Sequence, residues 1–168
     1  MSVHVALLRA VNVGGTGKLP MAELRAMCEA AGFANVRTYI ASGNVVLESP
    51  HGALEVKDIL EGKLLDYAGK RVGVAVRSAK ELAAVRAANP FAGEAPNRTV
   101  AIFLDHPPGP DALDTVTGCD GERIVLGKRE IYVHYGDGMS HSKLRIPAAS
   151  SGTARNMNTV SRLVALSS

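Results

Sequence analysis

Across residues 1–77 the apolar residues switch between the two-residue spacing of a strand and the 3.6-residue spacing of a helix. Residues 3–9, V-H-V-A-L-L-R, read as a buried strand. Met21, Leu24, Met27, Cys28 and Ala31 then fall on one helix face. Pro20 sits where the first helical residue belongs, where its missing N–H costs nothing, and Gly32 ends the run. N-V-R-T-Y-I-A and V-V-L-E read as two strands around the turn Ser42-Gly43-Asn44. Val56, Ile59, Leu60, Leu64 and Tyr67 return to helical spacing, and R-V-G-V-A-V-R alternates strictly. The resulting order, β-α-β-β-α-β, is that of a ferredoxin-like sandwich, with two helices packed on one face of a four-stranded antiparallel sheet.

A second series follows. Ser78 and Glu81 form a capping box that opens a helix, and Asn89-Pro90 stops it. After a loop over 91–97, R-T-V-A-I-F-L is a strand, P-G-P-D-A-L-D-T-V a short helix, and E-R-I-V-L and E-I-Y-V-H-Y two strands around Gly127-Lys128. A long loop leads to a final helix over about 154–166. This is β-α-β-β-α, the same series without its last strand. The expected class is therefore α+β, with two ferredoxin-like subdomains at 1–77 and 98–168 and a bridging helix and loop at 78–97.

Composition narrows the function. The 168 residues are 46% hydrophobic but only 4% aromatic, with no Trp, so the core must be aliphatic. Few rings are left for a surface that stacks a run of bases. The net charge is +3, and the positive charge gathers near the chain ends. No acid precedes Glu23, and Gly138–Ser168 carries Lys143, Arg145, Arg155 and Arg162 with no acid. That placement suits either solvated loops or a surface that attracts anions. Cys28 and Cys119 have no metal-site spacing, and no His/Asp cluster suggests one, so neither metal nor cofactor is expected. The N-terminus does not read as a signal peptide and no stretch reads as a membrane span, which points to the cytoplasm.

The stretch R-A-V-N-V-G-G-T-G-K-L-P-M over 9–21 is the most suggestive of a ligand. It fails as a P-loop, because Asn12 stands where the first glycine belongs and Leu19 where the hydroxyl belongs. It fails as a dinucleotide fingerprint, because Pro20 takes the third glycine position. It still joins a strand to a helix start. Its glycines can turn several backbone amides into one concavity, and Arg9, Asn12 and Lys18 flank them. The competing reading is a loop whose glycines merely permit the turn.

The chain resembles a known bacterial family. L-L-R-A-V-N-V-G-G-x-x-K-L-P-M-A-E-L and G-F-x-N-V-R-T-Y-I-x-S-G-N-V-V are similar to the opening of the family called domain of unknown function 1697. H-Y-G-D-G-M-S-H-S-K-L resembles its G-x-x-x-S-K-L segment, and T-A-R-N-M-N-T-V-S-R-L its T-x-R-N-W-N-T-V-x-K-L signature, with Met157 in place of the usual Trp. The resemblance implies two ferredoxin-like subdomains and no established activity.

The candidate binding residues are Arg9, Asn12, Gly14, Gly15 and Lys18; Arg37, Ser42 and Asn44; and Ser142, Lys143, Arg155, Asn156 and Asn158. With Thr159, Arg155 and Asn158 are expected on one face at the start of the last helix. The set is rich in cations and donors and lacks an acid for general acid–base work. The preferred reading is a module that binds a phosphate-bearing ligand, a nucleotide or nucleic acid, where the Gly-rich loop, the Ser-Lys segment and the last helix come together. One alternative is an enzyme acting on an anionic small molecule at that site, with Ser42, Ser142, Lys18 or Lys143 doing the chemistry. Another is a structural or regulatory protein-interaction module, in which Arg155 and the asparagines cap and tie the halves.

Overall fold

The computed structural model describes residues 1–12 and 18–168. The elements run β1 (Ser2–Leu8), α1 (Met21–Ala30), β2 (Ala34–Tyr39), β3 (Asn44–Ser49), α2 (Ala53–Ala68), β4 (Val74–Ser78) and α3 (Ala79–Ala87). They continue with β5 (Thr99–Phe103), β6 (Arg123–Leu126), β7 (Glu130–His134), β8 (Thr153–Asn156) and α4 (Met157–Ser167). Two compact units emerge, one of Met1–Ala83 with Leu163–Ser168, the other of Ala84–Arg162.

The first unit holds an antiparallel sheet in the order β2-β3-β1-β4, the ferredoxin-like arrangement. Strand alternation sends Ala6, Leu8, Val45, Leu47, Val74 and Val76 to one face, where Leu24 and Cys28 of α1 and Val56, Leu60 and Leu64 of α2 cover them. Each of the valines and leucines among them contributes roughly 1.5–3 kcal/mol on burial. Val5, Leu7, Val46 and Ala75 point the other way and are buried as well, which explains why β1 reads as a continuous apolar run. Gly69, left-handed at φ 72, closes α2 with its N–H on the Leu65 carbonyl (2.9 Å). The capping box forms as expected. The Ser78 N–H donates to Glu81 Oε1 (2.9 Å) and the Glu81 N–H to Ser78 Oγ (3.1 Å).

The second sheet has the order β6-β7-β5-β8 and is also antiparallel. Here the structure corrects the sequence reading twice. The fourth strand is present, as β8, so the last helix begins at Met157 and not near 154. The stretch expected as a short helix around 108–116 forms turns. It contains Pro108 and Pro110 and only a few apolar residues, too little to hold a helix on a sheet. Leu144, Ile146 and Ala149 from the long loop instead cover Val100, Ile102, Ile131 and Val133.

The two thiols differ sharply. Cys28 lies in the first core, where burial pushes its pKa up to about 12, while Cys119 is exposed. A thiol-reactive chromogen at mildly alkaline pH should titrate one thiol in the native protein and two after denaturation. Rapid reaction of both in the native protein would show that the core opens.

Candidate anion-binding cleft

The central strand β1 is paired on both sides, and the pairing runs past its end. The Leu8 N–H donates to the Gly43 carbonyl (2.8 Å) and the Arg9 N–H to the Gly73 carbonyl (2.9 Å). Ala10 and Asn12 then take left-handed backbone angles, φ 54 and 56, a conformation that asparagine tolerates and alanine pays for with about 1–2 kcal/mol. The Asn12 side chain offsets this. Its Oδ1 accepts the Leu19 N–H (2.6 Å), while its Nδ2 donates to the carbonyls of Leu19 (2.8 Å) and Ala41 (2.7 Å). One amide thus joins both ends of the 12–19 segment and ties it to the β2–β3 turn.

That turn is built to receive it. Asn44 is fully buried and donates from Nδ2 to the Tyr39 carbonyl (2.8 Å) and to Ser42 Oγ (2.9 Å). Gly43 sits at φ 89, and a Cβ there would lie 2.8 Å from Val11 Cγ2 and 2.9 Å from Leu8 Cβ. Ile40 is left-handed too, at φ 50, an outlier for a β-branched residue. Asn12 and Asn44 thus meet around the β2–β3 turn, and apart from the Asn44 bond to Ser42 Oγ their amides are spent on main-chain atoms.

Arg9 and Lys18 face a different space, a cleft of about 590 Å³ in the first unit. Its lining includes Arg9, Ala10, Val11, Lys18 and Leu19, together with Leu64, Tyr67 and Ala68 of α2. These last three share a helix face, being three and four apart. Lys70, Arg71, Val72 and Gly73 complete it. Four cations line the cleft, and among its described lining residues none is acidic. Sequence reasoning missed Tyr67, Lys70 and Arg71. The signal was the expected sheet order itself, because β4 beside β1 in antiparallel sense brings the residues before β4 to the end of β1. Gly14 and Gly15 lie outside the described residues. Arg37 is in β2, exposed, and lines a separate hollow with Arg25, Glu29 and Glu48.

The remaining candidates belong to the second unit. Ser142 Oγ donates to Glu122 Oε2 and accepts the Leu144 N–H, both at 3.2 Å, and Lys143 follows it in the same loop. Arg155 is in β8, paired with Ala101, so it does not share a helix face with Asn158 and Thr159. Its Nη1 donates to the Ala154 carbonyl (2.9 Å), and burial lowers its pKa to about 10. Asn156 caps α4, its Oδ1 accepting the Thr159 N–H (2.9 Å). Asn158 is exposed in the first turn. His134, unremarkable in sequence, lies in a ring-and-charge stack. Its Nδ1 is 2.9 Å from Thr99 Oγ1, its ring lies 5.7 Å from that of Phe91, and Arg123 covers Phe91 while binding Glu94 (2.8 Å). Among the described residues no group of three or more His, Cys, Asp or Glu is placed to hold a metal, and no helix is long and apolar enough to cross a membrane.

A family model described as a protein of unknown function, DUF1697, matches residues 1–132. The chain belongs to that family. A solved structure of a conserved bacterial protein from Streptococcus pneumoniae has the same fold, with a TM-score of 0.80, 22% identity and 99% of each chain covered. No curated protein matches the chain.

The hydrogen bonds make a stability prediction. Asn12→Ala should cost about 2–3 kcal/mol, the sum of three modest net hydrogen bonds. Gly43→Ala should cost about 2–4 kcal/mol from left-handed strain plus overpacking against Val11 and Leu8. Urea denaturation measures both.

Proposed function

We propose that this family member binds a phosphate-bearing ligand, a nucleotide or nucleic acid, in the cleft of its first unit. The observation that carries this reading is the set Arg9, Lys18, Lys70 and Arg71 on one concave surface without an acid among the described lining residues. Like charges gathered on one concave surface raise a positive potential there and draw in anions. Arginine adds paired donors that match two oxygens of a phosphate.

Two further observations support binding over catalysis. No His, Cys or carboxylate, the commonest proton-transfer groups, lines the cleft among the described residues. Of the asparagines shared with the family motif, Asn12, Asn44 and Asn156 bond main-chain atoms. Asn12 thereby fixes Leu19, the neighbour of Lys18, against the end of β1.

Thermal shift with pyrophosphate at low salt tests the reading, since a ligand of the native state raises the melting temperature. A rise that fades with added salt is expected. Arg9→Ala and Arg71→Ala should each weaken binding about tenfold, the loss of one charge-assisted contact. Arg37→Ala, outside the cleft, should leave it unchanged. No shift with any phosphate compound at low salt would overturn the reading.

A further inference from the structure

We infer that the cleft takes a single nucleotide, with its base against Tyr67 and its phosphate among the cations. The inference rests on the anion-binding reading and adds the class of ligand. The lining residues divide by chemistry. Arg9, Lys18, Lys70 and Arg71 supply charge, whereas Val11, Leu19, Leu64, Ala68 and Val72 supply apolar lining. A bare anion has no use for that lining. A ligand with a flat apolar body and a charged tail uses both, which is the usual make-up of a small-molecule site.

Tyr67 gives the body its place. It lies on the last turn of α2, 46% exposed, and its helix neighbours Leu64 and Ala68 line the same cleft. An aromatic ring held half in solvent beside apolar lining residues is a stacking surface for a planar heterocycle. Gly69, left-handed, then turns the chain so that Lys70 and Arg71 follow within four residues of the ring.

The same inventory selects one nucleotide over a strand. Binders of single strands stack successive bases on successive rings along a basic track. Tyr67 is the one aromatic residue among the described residues lining this cleft. A volume of about 590 Å³ falls within the 300–1,000 Å³ range typical of pockets for small ligands.

The test compares adenosine 5′-monophosphate, ribose 5-phosphate, adenosine and a single-stranded DNA 12-mer by calorimetry at low salt. The expected result is that the nucleotide binds about tenfold or more tightly than ribose 5-phosphate, the worth of one stacked base. Tyr67→Ala and Tyr67→Leu should remove that advantage and leave ribose 5-phosphate binding unchanged, while Tyr67→Phe keeps it. Ribose 5-phosphate binding as tightly as the nucleotide would overturn this inference and leave the anion reading standing. A 12-mer that binds far more tightly than the nucleotide, with a steep salt dependence, would also overturn it in favour of nucleic acid. Failure of all the phosphate compounds to bind would overturn both.

Discussion

The double pairing of β1 organises the first unit. From His4 to Leu7 the strand has β3 on one side and β4 on the other, which pairs its main-chain groups on both sides and lets it be apolar on both faces. It also fixes what gathers at its C-terminal end. Antiparallel neighbours must present there the start of β3, with its Ser42-Gly43-Asn44 turn, and the approach to β4, with Lys70, Arg71 and Gly73. The 12–19 segment leaves from the same point. The cleft is a consequence of strand order before it is a consequence of any particular side chain.

Much of this was legible in the amino-acid order. The periodicity over 1–77 gives every element of the first sheet and its helices, and Ser78 and Glu81 mark the start of α3 through a reciprocal bond pair that local chemistry alone dictates. The second unit was harder. Thr153–Asn156 is a four-residue strand without an apolar alternation of its own, and its identity depends on β5 as a partner far away in sequence. The 108–116 stretch has an apolar residue or two at helical spacing, but its prolines and the loop residues 144–149 that cover the sheet decide against a helix.

The site was legible in part for the same reason. Arg9 and Lys18 announce themselves beside glycines, whereas Lys70 and Arg71 look like ordinary cations after a helix end, and Tyr67 like a core residue. Only the sheet brings them together. Conversely, Asn12 and Asn44 look like ligand donors in sequence, and the structure shows them bonded to Leu19, Ala41 and Tyr39. A polar residue in a motif is equally suited to completing a backbone that secondary structure has left unpaired.

The Asn12 amide has one more consequence. Because it grips both main-chain groups of Leu19, the two ends of the intervening segment are held at a fixed separation by a bond that does not involve the segment itself. Leu19 lies two residues before α1, so a change at position 12 is felt at the start of that helix as much as at the end of the strand.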